Sequence, residues 1–175
     1  MVAGHLAAGM AIKGAVPHAP TWALLIAATF LDVLNPLFAL AGLDRAVIRE
    51  WSHSLAMSLV WSVLLGTLFI WRGRTVAIAV GLAVLSHFVL DAIVQPDLSL
   101  WPHSSVRIGL DLWRILPTGW WLVELAIVAG GVFYYWRRTR EAGALGKGGW
   151  ALVAFVLMVH VLNAPWLSTP YPAGR

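Results

Sequence analysis

Residues 75–95 read TVAIAVGLAVLSHFVLDAIVQ, and this stretch decides the class of the protein. A helix of this length spans about 31 Å, which matches the hydrocarbon core of a bilayer. Its only charged residue is Asp91, and His87 lies one helical turn before it. The length and apolarity predict a transmembrane helix, and the two polar side chains predict a functional site inside it.

The rest of the chain has the same character. Further apolar runs of sufficient length to span a membrane cover residues 20–40, 51–71, 119–136 and 149–167, and residues 2–16 form a shorter, partial one. Of the 175 residues, 60% are hydrophobic and only 11% are charged, which excludes a soluble domain with a polar surface. Lipid offers no water to an open backbone, so every span should be helical.

We therefore predict an all-α fold, a polytopic membrane helix bundle with five transmembrane helices and a short N-terminal helix that inserts beside them. Residues 1–175 should form a single membrane-embedded domain, because no repeat or low-complexity tract divides them. The expected location is the cytoplasmic (inner) membrane of a prokaryotic cell, as an integral protein.

Charge is distributed as in a membrane protein. The net charge is +4, but the basic residues lie in short loops between the apolar runs, so we expect membrane lipids and no nucleic acid as partners. If the spans cross the membrane in alternating directions, seven of the 12 basic residues lie on one side of it and five on the other. The side with seven basic residues is assigned to the cytoplasm. The chain has no cysteine, so any metal must be held by nitrogen and oxygen.

Titratable side chains inside a span are costly, about 2.5–3.5 kcal/mol each on insertion scales, so each suggests a functional site. Here they share the middle and outer part of the predicted membrane and avoid its cytoplasmic third. They are His5, Asp32, His53, His87, Asp91, Glu124 and His160.

Spacing brings several of these residues together. His5 and Asp32 flank the turn at residues 17–20 symmetrically, which puts them at one depth in a helical hairpin. His87 and Asp91, four residues apart, lie on one helix face. Three imidazoles and two carboxylates predict a divalent-metal site for one ion or two, with His5, Asp32, His53, His87 and Asp91 as ligands.

Each residue also has a structural interpretation. His87 with Asp91 would serve as a polar clamp between helices, and His160 would hydrogen-bond a neighbouring helix. Glu124 would be a protonated structural acid or extend toward the outer interface. As a buried carboxylate, either Asp91 or Glu124 is a candidate general base, and spacing does not distinguish base from ligand.

Short motifs in residues 1–110 resemble those of a known family and occur in the same order. The family begins with Gly-His-Leu, present at 4–6, and has Leu-Pro-Asp-x-Asp where residues 30–34 read FLDVL. Its His-Arg-Gly-x-Thr-His-Ser-Leu motif is matched by IREWSHSL at 48–55, and Leu-Ser-His-x-x-x-Asp and Leu-Trp-Pro-x-Ser-x-x-Arg are intact at 85–91 and 100–107. The chain thus resembles the membrane-bound metal-dependent hydrolases described as LexA-binding and inner-membrane-associated.

That family is distantly similar to zinc-dependent phospholipases C and related nucleases. The resemblance implies hydrolysis of a phosphoester, possibly a lipid-like one, with zinc as the expected metal and manganese or iron as alternatives. It also implies that Arg107 pairs with the substrate phosphate, although an interfacial anchor is the competing interpretation.

Two departures from the family pattern bear on activity. Leu34 and Ile48 stand where the family has an Asp and a His, so an inactive relative is one alternative to the hydrolase. A transporter that moves ions or protons along the same His/Asp cluster is the other.

Overall fold

The computed structural model describes residues 1–164. The helices within them are α1 (Val2–Ala15), α2 (Thr21–Ala28), α3 (Phe30–Leu40), α4 (Arg45–His53), α5 (Leu55–Thr67), α6 (Arg74–Val94), α7 (Leu112–Ile115), α8 (Gly119–Glu141) and α9 (Lys147–Leu162), with a 3-10 turn at Ile70–Arg72. A short antiparallel hairpin joins β1 (Leu98–Ser99) to β2 (Arg107–Ile108). The all-α class is confirmed.

The five predicted spans are not confirmed. Within residues 1–164, α6 alone is long and apolar enough to cross a bilayer, and α2 with α3 would make a second span if the bent pair is counted as one. The apolar helices α5 and α9 are shorter than a full span. The predicted run 149–167 ends outside the described residues, as does Arg175 of the predicted outer face.

Two local features break the apolar runs. At Thr29 the chain bends by 64° between α2 and α3, and the Thr29 hydroxyl donates to the carbonyl of Leu25 at 3.0 Å, a type of bond that bends helices. At Ser54 the backbone is extended, and its hydroxyl accepts from the amide of Met57 at 3.4 Å, so one helix ends and the next begins. Hydropathy along the sequence does not register such breaks, because both residues are small and uncharged.

The buried apolar residues form two clusters. One lies between α2, α3 and α6 and includes Leu24, Leu31 and Val84. The other lies between α1, α8 and α9 and includes Met10 and Val128. Helix α1 also packs on α2 and α6, so the polar residues predicted as ligands lie where these helices meet.

Candidate metal centre

The five predicted ligands come from four helices and meet in one place. His5 lies in the first turns of α1, Asp32 at the start of α3 and His53 at the end of α4, while α6 carries His87 and Asp91. All three histidines and Asp91 are buried. The side chain of Asp32 is 44% exposed, so the cluster has one open edge.

Asp91 lies at the centre of the cluster. Its Oδ1 is 3.2 Å from Nε2 of His5, and its Oδ2 is 3.7 Å from Nε2 of His53 and 3.6 Å from Nε2 of His87. Asp32 completes the arrangement, with Oδ1 at 3.4 Å from His53 Nε2 and 3.6 Å from His87 Nε2. The structure therefore brings together all five side chains that were predicted as ligands.

The ligand atoms fall into two overlapping groups, and in each they lie within 4.8 Å of one another. One group is His5, His87 and Asp91, and the other is Asp32, His53 and His87. Two ligands at 2.0–2.2 Å from a tetrahedral zinc ion lie about 3.3–3.6 Å apart, close to the measured nitrogen-to-oxygen separations. The arrangement therefore fits one divalent ion, with His87 common to both groups.

His87 is oriented by the backbone. Its Nδ1 lies 2.9 Å from the carbonyl oxygen of Ala28, which can only accept, so Nδ1 carries the proton. Ala28 is the last residue of α2, where helix carbonyls lack intrahelical partners, so the bend at Thr29 supplies this acceptor. In the neutral ring Nε2 is then the unprotonated nitrogen, and it is buried without a hydrogen-bond partner while facing two carboxylates. A metal ion would satisfy this atom.

His53 is held in an analogous way by Ser52. The Ser52 hydroxyl lies 2.6 Å from His53 Nδ1, and the carbonyl of Ile48 at 2.7 Å and the side-chain oxygen of Asn35 at 2.9 Å are acceptors for its proton. With its proton on either oxygen, Ser52 accepts from His53 Nδ1–H, and Nε2 is then free for a ligand. Such outer contacts fix the tautomer of metal-binding histidines. Ser52 was not among the predicted site residues, although it directly precedes a predicted ligand.

The imidazoles are also packed against one another. The rings of His5 and His87 stack, with centroids 3.7 Å apart and planes within 8°, and the ring of His53 meets that of His87 edge-on at 5.2 Å. This packing places the three rings around one point, and each would bind a metal in its neutral form.

Glu124 and His160 form a separate buried pair. Nδ1 of His160 lies 3.4 Å from Oε2 of Glu124, and Oε1 of Glu124 accepts from the amide of Gly4 at 3.2 Å. Among the described residues neither belongs to the ligand groups. Gly4 directly precedes His5. By accepting from the Gly4 amide, Glu124 holds the start of α1 in place and so positions His5.

Arg107, the predicted phosphate partner, lies on β2 beside the cluster. Its guanidinium donates to the Ser99 hydroxyl, and its Nη2 lies 3.6 Å from Oε1 of Glu50. The residue lines a cavity of about 230 Å³ that also touches His53. Its charge is thus close to the cluster and already balanced by a carboxylate.

A larger cavity, of about 450 Å³, reaches the cluster at its open edge. Asp32 and His53 form part of its wall, so a molecule in the cavity would meet two predicted ligands. Ile48 lines the same cavity, which places this departure from the family motif beside the cluster. A histidine at this position, as in the family motif, would lie on this side of the cluster.

A comparison with known protein families indicates a membrane location. The family model described as YdjM inner membrane protein matches residues 1–167. No curated protein and no solved structure matches the chain significantly. The family description names a location and no activity, so it supports the inner-membrane part of the resemblance seen in the motifs. With the match extending over nearly all of the sequence, the chain belongs to the YdjM inner membrane protein family.

Proposed function

We propose that this protein is an integral inner-membrane, metal-dependent hydrolase of a prokaryotic cell that cleaves a phosphoester. The observation that supports it most is Nε2 of His87, which is buried without a hydrogen-bond partner and lies 3.6 Å from both Asp32 and Asp91. A structural clamp would place a hydrogen-bond partner within about 3.2 Å of this atom, because an unsatisfied buried nitrogen destabilises the fold by about 1–3 kcal/mol. Ligation of a metal accounts for it.

The donor set suits zinc, with manganese or iron as alternatives, because three imidazoles and two carboxylates are ligands that these metals share. When bound, such an ion supplies Lewis-acid chemistry toward a phosphoryl oxygen and makes water acidic enough to react near neutral pH. His5, His53, His87 and Asp91 would hold it. Both oxygens of Asp91 face histidines, so this carboxylate is better suited to a ligand than to a mobile base.

Asp32 is the carboxylate best placed to handle a proton. It is the exposed member of the cluster, it lines the 450 Å³ cavity, and water entering from that side meets it first. We assign to it the acceptance of the proton released by the attacking water. Glu124, the other candidate base, is fully buried and bonded to Gly4, so its place in this proposal is to position α1.

Metal content of the purified protein tests the proposal. The full chain, extracted in a neutral detergent, should contain zinc, manganese or iron in near-stoichiometric amount by elemental analysis, and His87→Ala should lose it. His18→Ala is the matched control, because His18 is exposed in the loop between α1 and α2 and should leave the metal content unchanged. A metal-free wild-type protein that also fails to take up zinc would refute the metal centre.

Hydrolysis is tested separately with 4-nitrophenyl phosphate and bis(4-nitrophenyl) phosphate. The metal-loaded protein should release nitrophenol from at least one of them, and Asp32→Asn should lower kcat by about 100-fold or more while retaining the metal. A metal-loaded protein that hydrolyses neither probe, yet lets zinc or protons cross liposome membranes, would favour the transporter alternative.

A further inference from the structure

The 450 Å³ cavity is a groove between α3 and α4. One face of α3 lines it, at positions spaced by three and four residues: Asp32, Asn35, Pro36 and Ala39. From the other side α4 contributes Arg45, Ile48 and Arg49. The start of α3 meets the end of α4 at Asp32 and His53, so one end of the groove is the candidate metal centre.

The outer face of α3, adjacent to the groove, is apolar and exposed. Val33, Leu37 and Leu40 follow one residue after Asp32, Pro36 and Ala39, which rotates them by about 100° from the groove wall. They are among the exposed large hydrophobic residues of the structure. A molecule in the groove can therefore keep its polar end at the ligands while a hydrocarbon part lies along α3.

The arginines near the groove differ in their partners. Arg49 is bound bidentately by Asp97, and Gln95 accepts from its Nη2 at 2.8 Å. Arg107 faces Glu50 and Ser99. Arg45 also lines the groove, and within residues 1–164 no carboxylate lies within ion-pair distance of it. It therefore supplies a positive charge that a ligand can neutralise.

We infer that the groove between α3 and α4 binds a phosphate-bearing amphiphile, with Arg45 as the residue that binds its negatively charged headgroup. The phosphate lies in the cavity between Arg45 and the pair Asp32 and His53, which line it together, and the hydrocarbon part lies against the exposed stripe of Val33, Leu37 and Leu40. This inference rests on the proposed function, because it names the substrate class of that same centre. The planar guanidinium suits two phosphate oxygens at once.

Binding of a non-hydrolysable probe tests the inference without turnover. The probe is the phosphonate analogue of dioctanoylphosphatidic acid, titrated by calorimetry into the purified full-length protein in neutral detergent. Arg45→Gln should weaken binding about tenfold, and Arg45→Lys, which keeps the charge but loses the planar fork, should bind more tightly than Arg45→Gln and more weakly than wild type. Arg74→Gln is the matched control, since Arg74 is likewise an exposed first residue of a helix, far along the chain from the groove.

Two further arms test the groove and the amphiphile. Ala39→Trp, at an exposed position in the wall, should obstruct the groove and weaken the phosphonate about tenfold while Arg45 is unchanged. Dioctanoylglycerol, which lacks the phosphate, and glycerol 3-phosphate, which lacks the chains, should each bind at least about tenfold more weakly than the phosphonate.

Several results would overturn the inference. They are no binding of the phosphonate to wild type, equal binding to Arg45→Gln, or binding of either half-probe as tight as that of the whole. Because metal content and nitrophenyl phosphate hydrolysis are measured apart, a protein that passes those tests and fails these keeps its proposed function and loses only this substrate.

Discussion

Helix α1, which carries His5, approaches α8 so closely that a single methyl group at Gly131 should separate them. A Cβ built at Gly131 would lie 2.5 Å from the carbonyl oxygen of Ala7 and 2.9 Å from its carbonyl carbon. Ordinary contact begins at 3.4 Å, so the helices must move apart by about 0.9 Å. The contacted atoms belong to a helix backbone and cannot rotate away.

Gly130 provides the matched control. It is the preceding residue of α8, and a Cβ there meets nothing within 4 Å. Both Gly→Ala changes gain the same helix propensity, about 1 kcal/mol. Their difference in unfolding free energy therefore isolates the clash, which overpacking data put at about 1–3 kcal/mol. We expect Gly130→Ala to be neutral or stabilising and Gly131→Ala to be less stable by that difference.

The displacement should also affect the metal centre, since Ala7 is two residues from His5. We expect Gly131→Ala to weaken zinc binding about tenfold, at the lower end of the effect of disturbed outer contacts, and Gly130→Ala to leave it unchanged. Unfolding is followed by circular dichroism in detergent, and zinc affinity by competition with a chromogenic chelator. Equal stability and equal affinity of the two variants would refute the close packing of α1 on α8.

Three other perturbations have defined outcomes. Ser52→Ala should weaken zinc binding about 10- to 100-fold in the same competition assay, because His53 loses the acceptor for its Nδ1 proton, whereas Ser86→Ala removes only a bond within α6 and should have no effect. Glu124→Leu should lower the unfolding free energy by about 1–3 kcal/mol, because the buried amide of Gly4 loses its hydrogen-bond acceptor. Glu124→Gln keeps an acceptor and is the control. An equal loss of stability in both variants would contradict the role of Glu124 as that acceptor. A chelator should lower the unfolding temperature of wild type but not of His87→Ala, and equal shifts would mean that the metal binds elsewhere.

The candidate site was more predictable from the sequence than the number of spans. His87 and Asp91 share a helix face at any tertiary arrangement, because four residues are close to one turn. Polar residues are costly in an apolar segment, so His5, Asp32 and His53 stand out in the sequence as candidates. The spans were less predictable, because a bend at Thr29 or a cap at Ser54 depends on hydroxyl bonds that hydropathy does not register.

The partners of each polar residue came only from the tertiary structure. From sequence, Glu124 and Asp91 were equivalent candidates for a general base, since both are carboxylates in apolar helices. Folding separates them, because α8 presents Glu124 to Gly4 and His160 while α6 presents Asp91 to three histidines. In the same way Arg45 and Arg107 differ only through what lies beside them.

The sequence by itself therefore determined the all-α class, the membrane location and the set of candidate ligands, because these follow from hydrophobicity, residue chemistry and helical spacing. The tertiary structure decided which nitrogen of His87 is available, which carboxylate faces the cavity and where the groove runs. Those properties depend on contacts between helices far apart in the chain, such as His87 with Ala28, and no local pattern encodes them.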